Sequence, residues 1–249
     1  MILKKLMRGF GGNALKHYNE ASDKMNSMAQ EKQVVSKKRV ADHGEVFTGK
    51  REVNVMLDLV KQETERIESR FLEPACGTGN FLAEVLERKL HVVETRYGKS
   101  QLEYERNAIV ALSSLYGIDI LEDNVMECRK RLSDIFDQKH TCLFKEKAKQ
   151  ECCHAARYIL QKNIIWGDAL DLKTADKHNK PIVFSEWSPV NGSMLKRRDF
   201  CFSHLLAHGK KTEDRSQLCF SDLGEDVFIP EPVKEYPLTH FLKVADAEK

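Results

Sequence analysis

Residues 73–82, EPACGTGNFL, constrain this chain more than any other stretch. A short apolar step, Phe71-Leu72, leads into an acid, a proline and two glycines, and Asn80-Phe81-Leu82-Ala83-Glu84-Val85-Leu86 then opens a helical pattern. This is a strand–turn–helix junction, the place where an open α/β sheet holds a ligand. Gly77 and Gly79 let the backbone turn tightly and approach a ligand with no Cβ in the way. The helix starting near Asn80 offers free N–H groups and a partial positive charge. Two glycines alone are equally a structural turn, so the neighbouring strands must decide.

Two further apolar runs end in acids: LYGIDI at Asp119, and NIIWGD at Asp168. Helical patterns over 53–69, 80–90, 103–114, 122–136 and 144–161 alternate with the three strands. That alternation predicts a mainly parallel, doubly wound sheet. A carboxylate at position 119 can accept both hydroxyls of a ribose. One at position 168 can accept from an exocyclic amine, and Glu73 lies close enough to hold a cationic amino group. S-adenosylmethionine has these groups and needs no phosphate site. A dinucleotide fits less well: Leu82 replaces the third glycine of GxGxxG, and an acid at position 73 repels a pyrophosphate.

With 249 residues, 41% hydrophobic and 31% charged, the chain has the size for one sizeable core plus appendages. No apolar run approaches the ~20 residues of a spanning helix, so no membrane partner is expected. The first residues, MILKKLMRGFGGNALKHYNEASDKM, hold no apolar block of a secretory signal. Seven cysteines without a CxxC pair point to reduced thiols, a cytoplasmic protein and no metal. Cys152 and Cys153, in ECCHAARYIL, read as small core residues of a helix. A net charge of +2 excludes a polycation. The basic clusters KKRV (37–40) and KRRD (196–199) read first as solvated surface, with phosphate contact the lesser reading. Gly44, Gly49 and Gly117 are expected in turns. Five of the six prolines lie from Pro181 onward, so the end of the chain reads as irregular apart from one strand at 181–187. The expected division is an N-terminal helical segment (1–40), a ligand-binding domain (41–187) and an irregular C-terminal extension (188–249).

EPACGTGNFL resembles motif I of the N6-adenine DNA methyltransferases of restriction–modification systems, usually D/E-P-A-C-G-S/T-G. YGIDI resembles their motif II and NIIWGDAL their motif III, and HGEVFTGKREVNVMLDLV is similar to the GEVFTP segment that precedes motif I. The resemblance covers residues 42–172, in the family's order. It implies a Rossmann-like doubly wound S-adenosylmethionine-dependent methyltransferase fold, and double-stranded DNA as substrate. It also implies a role for each matching residue. Phe47 and Thr48 would contact the methionine part and the adenine, and Glu73 the methionine ammonium. Ala75, Cys76, Gly77 and Gly79 would line the cofactor by backbone, with Asn80 and Phe81 opening the helix beside it. Asp119 would hold the ribose, Ile120 would pack on the adenine, and Asp168 would hold the adenine N6, with Ala169 and Leu170 alongside. Cys76 and Phe81 read equally well as core residues.

The resemblance stops before the family's catalytic motif, [D/N/S]-P-P-[Y/F/W], whose oxygens orient the target amine and whose ring stacks on the flipped base. The chain contains no Pro-Pro pair. SEWSPV supplies only Glu186 and Trp187 as candidate catalytic residues, in the wrong order. Fewer than 80 residues follow motif III, too few for a target-recognition domain. The expectation is therefore the cofactor-binding half of a methyltransferase, with catalysis and target recognition on a second polypeptide. The alternatives are a non-catalytic S-adenosylmethionine-binding regulatory protein, or an RNA or protein methyltransferase.

Overall fold

The computed structural model describes residues 36–43, 45–206, 218–220, 226–228 and 230–246. The chain divides into two compact units, Met1–Lys50 and Arg51–Lys249. Among the described residues no helix is long and apolar enough to cross a membrane.

In the first unit, helix α1 (Lys37–His43) starts behind Ser36, whose Oγ accepts the Arg39 N–H at 3.1 Å. The Arg39 guanidinium then grips Glu45 with two bonds of 2.6 and 2.7 Å. Phe47 and Thr48 belong to this unit, and Gly44 and residues 1–35 lie outside the described residues.

The helix expected over 53–69 is two helices, α2 (Lys50–Asp58) and α3 (Lys61–Thr64). No Gly or Pro marks the break, which falls at exposed Leu59 and at Val60 with φ −120°. Then follow β1 (Phe71–Glu73), α4 (Asn80–Tyr97), α5 (Gln101–Ser113), β2 (Leu115–Asp119), α6 (Glu122–Phe144), α7 (Gln150–Asn163) and β3 (Ile164–Asp168). Ser100 caps α5 by accepting the Glu103 N–H. The strands run parallel in the order β1-β2-β3, with Glu73 opposite Gly117 and Asp119 opposite Trp166. A short β4 (Lys173–Thr174) turns back antiparallel on β3. All five residues of β2 are buried, as the middle strand of a covered parallel sheet requires.

Leu115 and Ile164 belong to the main core with Leu82, Leu86, Ile109, Leu132 and Ile159 of the helices. Alternation sends Tyr116 and Ile118 to a second core, where they meet Ile182, Phe184 and Phe202. That second core is capped by another sheet. In it β5 (Val183–Pro189) pairs antiparallel with β6 (Met194–Cys201), which also pairs with β9 (Lys234–Glu235) and β10 (Thr239–His240). Helix α8 (Phe202–Leu206) follows β6, and β7 (Leu218–Phe220) pairs with β8 (Asp226–Phe228). A 3₁₀ segment, Phe241–Asp246, ends the described chain and buries Phe241 and Val244 in the main core.

The molecule is thus mixed α/β, with parallel and antiparallel strands. The strand expected at 181–187 exists, but it pairs with β6 instead of extending the parallel sheet. Among the described residues of 188–249 the expected irregular extension gives way to strands, with β6 the middle strand of the second sheet. Its inward positions explain the misreading: Arg197 and Asp199 are buried where alternation would ask for apolar residues. Arg197 bonds Asp199 at 2.8 and 2.9 Å and the Tyr158 hydroxyl at 2.7 Å, and its guanidinium lies 4.0 Å from the Tyr236 ring centroid. The KRRD cluster therefore contributes Arg197 to the interior, not to a solvated basic face.

Candidate ligand site at the strand ends

The three parallel strands bring Glu73, Asp119 and Asp168 to one edge of the sheet, and the glycine turn enters α4 beside them. Gly77 (φ 51°) and Gly79 (φ 84°) are both left-handed, and the turn closes with Gly79 N–H on the Cys76 carbonyl at 2.8 Å. A Cβ at Gly79 would stand 2.7 Å from Cys128 Sγ on α6, so packing under the turn also demands glycine there. Gly117 is not in a turn but in mid-strand. A Cβ there would lie 3.0 Å from both Cys76 Sγ and Leu82 Cδ1, so its absence lets the turn settle onto β2. Cys76 is buried, and a thiol–thiol hydrogen bond with Cys128 together with burial pushes its pKa far up. It acts as a small core residue and not as a nucleophile.

Hydrogen bonds tie the strand ends together. Asp119, 8% exposed, accepts the Gly77 N–H at 2.8 Å on one oxygen. Its other oxygen accepts the Leu121 N–H at 2.9 Å and the Asn124 amide at 3.2 Å. Trp166 Nε1–H donates to the Ile120 carbonyl at 3.0 Å, joining β3 to the loop after β2. Asp168 closes an Asx turn by accepting the Leu170 and Asp171 N–H groups at 2.8 and 3.3 Å. Asn124, Cys128 and Trp166 were not among the sequence candidates. The only hint of them was Asp119-Ile120-Leu121, a spacing that suits an Asx turn at a strand end.

Glu73 differs from its neighbours. It is half-buried and makes no ion pair with any described residue, and burial raises its pKa against a weaker opposing bond from the Ala75 N–H. Ile120 is 47% exposed and Leu170 93%, an apolar surface beside the acids that a flat ring could cover. Ala75 is exposed and Ala169 half-buried. The Asn80 side-chain oxygen Oδ1 accepts from Arg131 at 2.5 Å, and half-buried Phe81 packs on the main core. The residues present fit S-adenosylmethionine unevenly. Glu73 suits an ammonium group, and the exposed apolar pair suits an adenine. Asp119 already accepts three bonds, so it has room for about one more hydroxyl without rearrangement.

The catalytic candidates lie elsewhere. Trp187 is 6% exposed, donates to Asn163 Oδ1 at 3.4 Å, and meets the Tyr158 ring edge-on at 6.1 Å. Its ring is core and offers no face to a flipped base, which corrects its reading as a stacking residue. Glu186 is held between Arg70 and Arg198, the latter at 2.6 Å, so both its oxygens face cations and not a substrate amine.

The chain matches no family model, no curated protein and no solved structure.

Proposed function

We propose that this chain is the S-adenosylmethionine-binding component of a DNA adenine-N6 methyltransferase of a restriction–modification system, working with a second polypeptide. One observation carries the reading. The ends of three parallel strands, cross-linked by hydrogen bonds, carry a Glu73 without an ion pair to any described residue, an ordered Asp119 and Asp168, and exposed apolar Ile120 and Leu170. Bound there, the cofactor supplies an electrophilic methyl group. Glu73 binds its ammonium, Asp119 a ribose hydroxyl and Asp168 the adenine amine. The Gly77–Gly79 turn lines it by backbone.

The second polypeptide is proposed because neither catalytic candidate is placed to orient and stack a target adenine: Trp187 is core and Glu186 is held by arginines. The same two facts favour, as a second reading, a regulator that binds the cofactor without chemistry. On either reading, calorimetric titration gives one site for S-adenosylmethionine or its demethylated product, and the chain alone transfers no tritiated methyl group to unmethylated DNA. No heat with either ligand on folded protein would overturn both. Transfer restored by a partner chain would select the first.

A further inference from the structure

We infer that the outer edge of β1 and the cleft beside it are a docking surface for an extended segment of a partner polypeptide. The segment adds to the sheet as a strand, with an apolar side chain in the cleft and an acidic one beside Arg70. This gives a place to the second polypeptide proposed above, but it is tested without cofactor or DNA, so the two readings fail separately.

Among the described residues β1 ends its sheet. Phe71 N–H donates to the Ser114 carbonyl at 2.9 Å, so Phe71 and Glu73 turn their backbone groups toward β2. Alternation turns the Leu72 N–H and C=O outward, where no described strand meets them. Such an edge is a template for another chain. The side chain of Leu72, 43% exposed, lines a cleft of about 430 Å³ between β1 and the second sheet. The aromatic rings of Tyr116, Phe184, Phe200 and Phe202 line it, with Leu205 and Leu206 beside them. The one polar atom on those rings, the Tyr116 hydroxyl, donates to the Ser185 carbonyl at 3.2 Å.

Charge selects the kind of guest. Arg70 and Arg198 share the single carboxylate of Glu186, which leaves one positive charge in excess at the cleft. Arg70 is 62% exposed and keeps donors to spare. A second copy of this chain would present Arg70, Leu72 and Pro74 on the matching face of its own β1, with no acid among them. A different chain with alternating acidic and apolar residues complements the surface better.

The test is fluorescence anisotropy with a degenerate pool of labelled peptides in which glutamate or aspartate alternates with valine, isoleucine or phenylalanine. Saturable binding is expected. It should disappear when alternate peptide nitrogens are methylated, because the ladder bonds are lost. Arg70→Glu should weaken it by about tenfold or more. Leu72→Lys, at an exposed position, should do the same with an unchanged circular dichroism melt. Absence of binding, or binding indifferent to N-methylation and to both variants, overturns the inference. A dimer in sedimentation that Leu72→Lys dissolves also overturns it, because the occupant would then be a second copy.

Discussion

At the ends of β1–β3 Glu73 and Asp168 stand partly exposed, and Glu73 makes no ion pair with any described residue. On β6, by contrast, Arg197 and Asp199 are buried and bonded on nearly every side. Both regions remove charge from water, but they settle the cost differently. In the second sheet Ser185, Tyr158 and Tyr236 complete a closed set, with Ser185 Oγ–H on Asp199 Oδ1 at 2.7 Å and Tyr236 O–H on Asp199 Oδ2 at 3.1 Å. Such a set fixes how the second sheet meets α7. At the strand ends Asp119 is spent on holding the turn, while Glu73 is partly desolvated, with a bond from the Ala75 N–H but no ion pair to any described residue. Unfinished electrostatics of that kind mark a place where something else is expected to bind.

The sharpest way to break this contrast is Asp199→Ala. It leaves the Arg197 guanidinium buried without its carboxylate, and removing one partner of a buried pair costs about 3–5 kcal/mol. Urea unfolding should show that loss, with Arg197 still clamped by Tyr158. A loss well under 1 kcal/mol would mean that water reaches the network and that the second sheet is looser than its closed hydrogen bonding implies.

Gly79→Ala comes next. The left-handed φ costs about 1–2 kcal/mol for any residue with a Cβ, and the 2.7 Å approach to Cys128 Sγ adds an overpacking cost. About 2–4 kcal/mol in total is expected. Cys128→Ala in the same chain should recover the packing part and leave the backbone part. Strict additivity of the two changes would show that Cys128 does not define the floor of the turn.

The turn was legible in the sequence because its demands are local. Glycines, an acid at the strand end and an immediate helix are readable in ten residues, and the parallel pairing of the three strands follows from strand–helix alternation. The second sheet was not, because β6 reads MLKRRDFC and buries a charged pair that pattern reading assigns to solvent. Gly117 was placed in a turn for a similar reason: what requires glycine is the approach of Cys76 and Leu82 across the sheet, a contact between residues far apart in the chain. Glu186 and Trp187 are the only catalytic candidates that SEWSPV offers. Their partners Arg70, Arg198 and Asn163 come from the loop before β1, from β6 and from the end of α7, which local sequence does not join.

Glu73→Gln should give the smallest stability change and separates the two regions most directly. Burial raises the Glu73 pKa above 4.5, so at pH values between 4.5 and that raised pKa the folded state holds a proton that the unfolded state has lost. Stability therefore falls as pH rises through this window, and at neutral pH the whole cost of an ionised, half-desolvated carboxylate is present. Glutamine removes that cost. The variant should be more stable than the parent at pH 7, by under about 1 kcal/mol since solvent screens part of the effect, and the two should converge toward pH 4. Affinity should move the other way, because an ammonium group loses a charge-assisted bond of about 1.5–3 kcal/mol. A variant that is less stable at pH 7 and binds equally well would show that Glu73 serves the β1 turn, as Asp119 does, and that no cation belongs at its side.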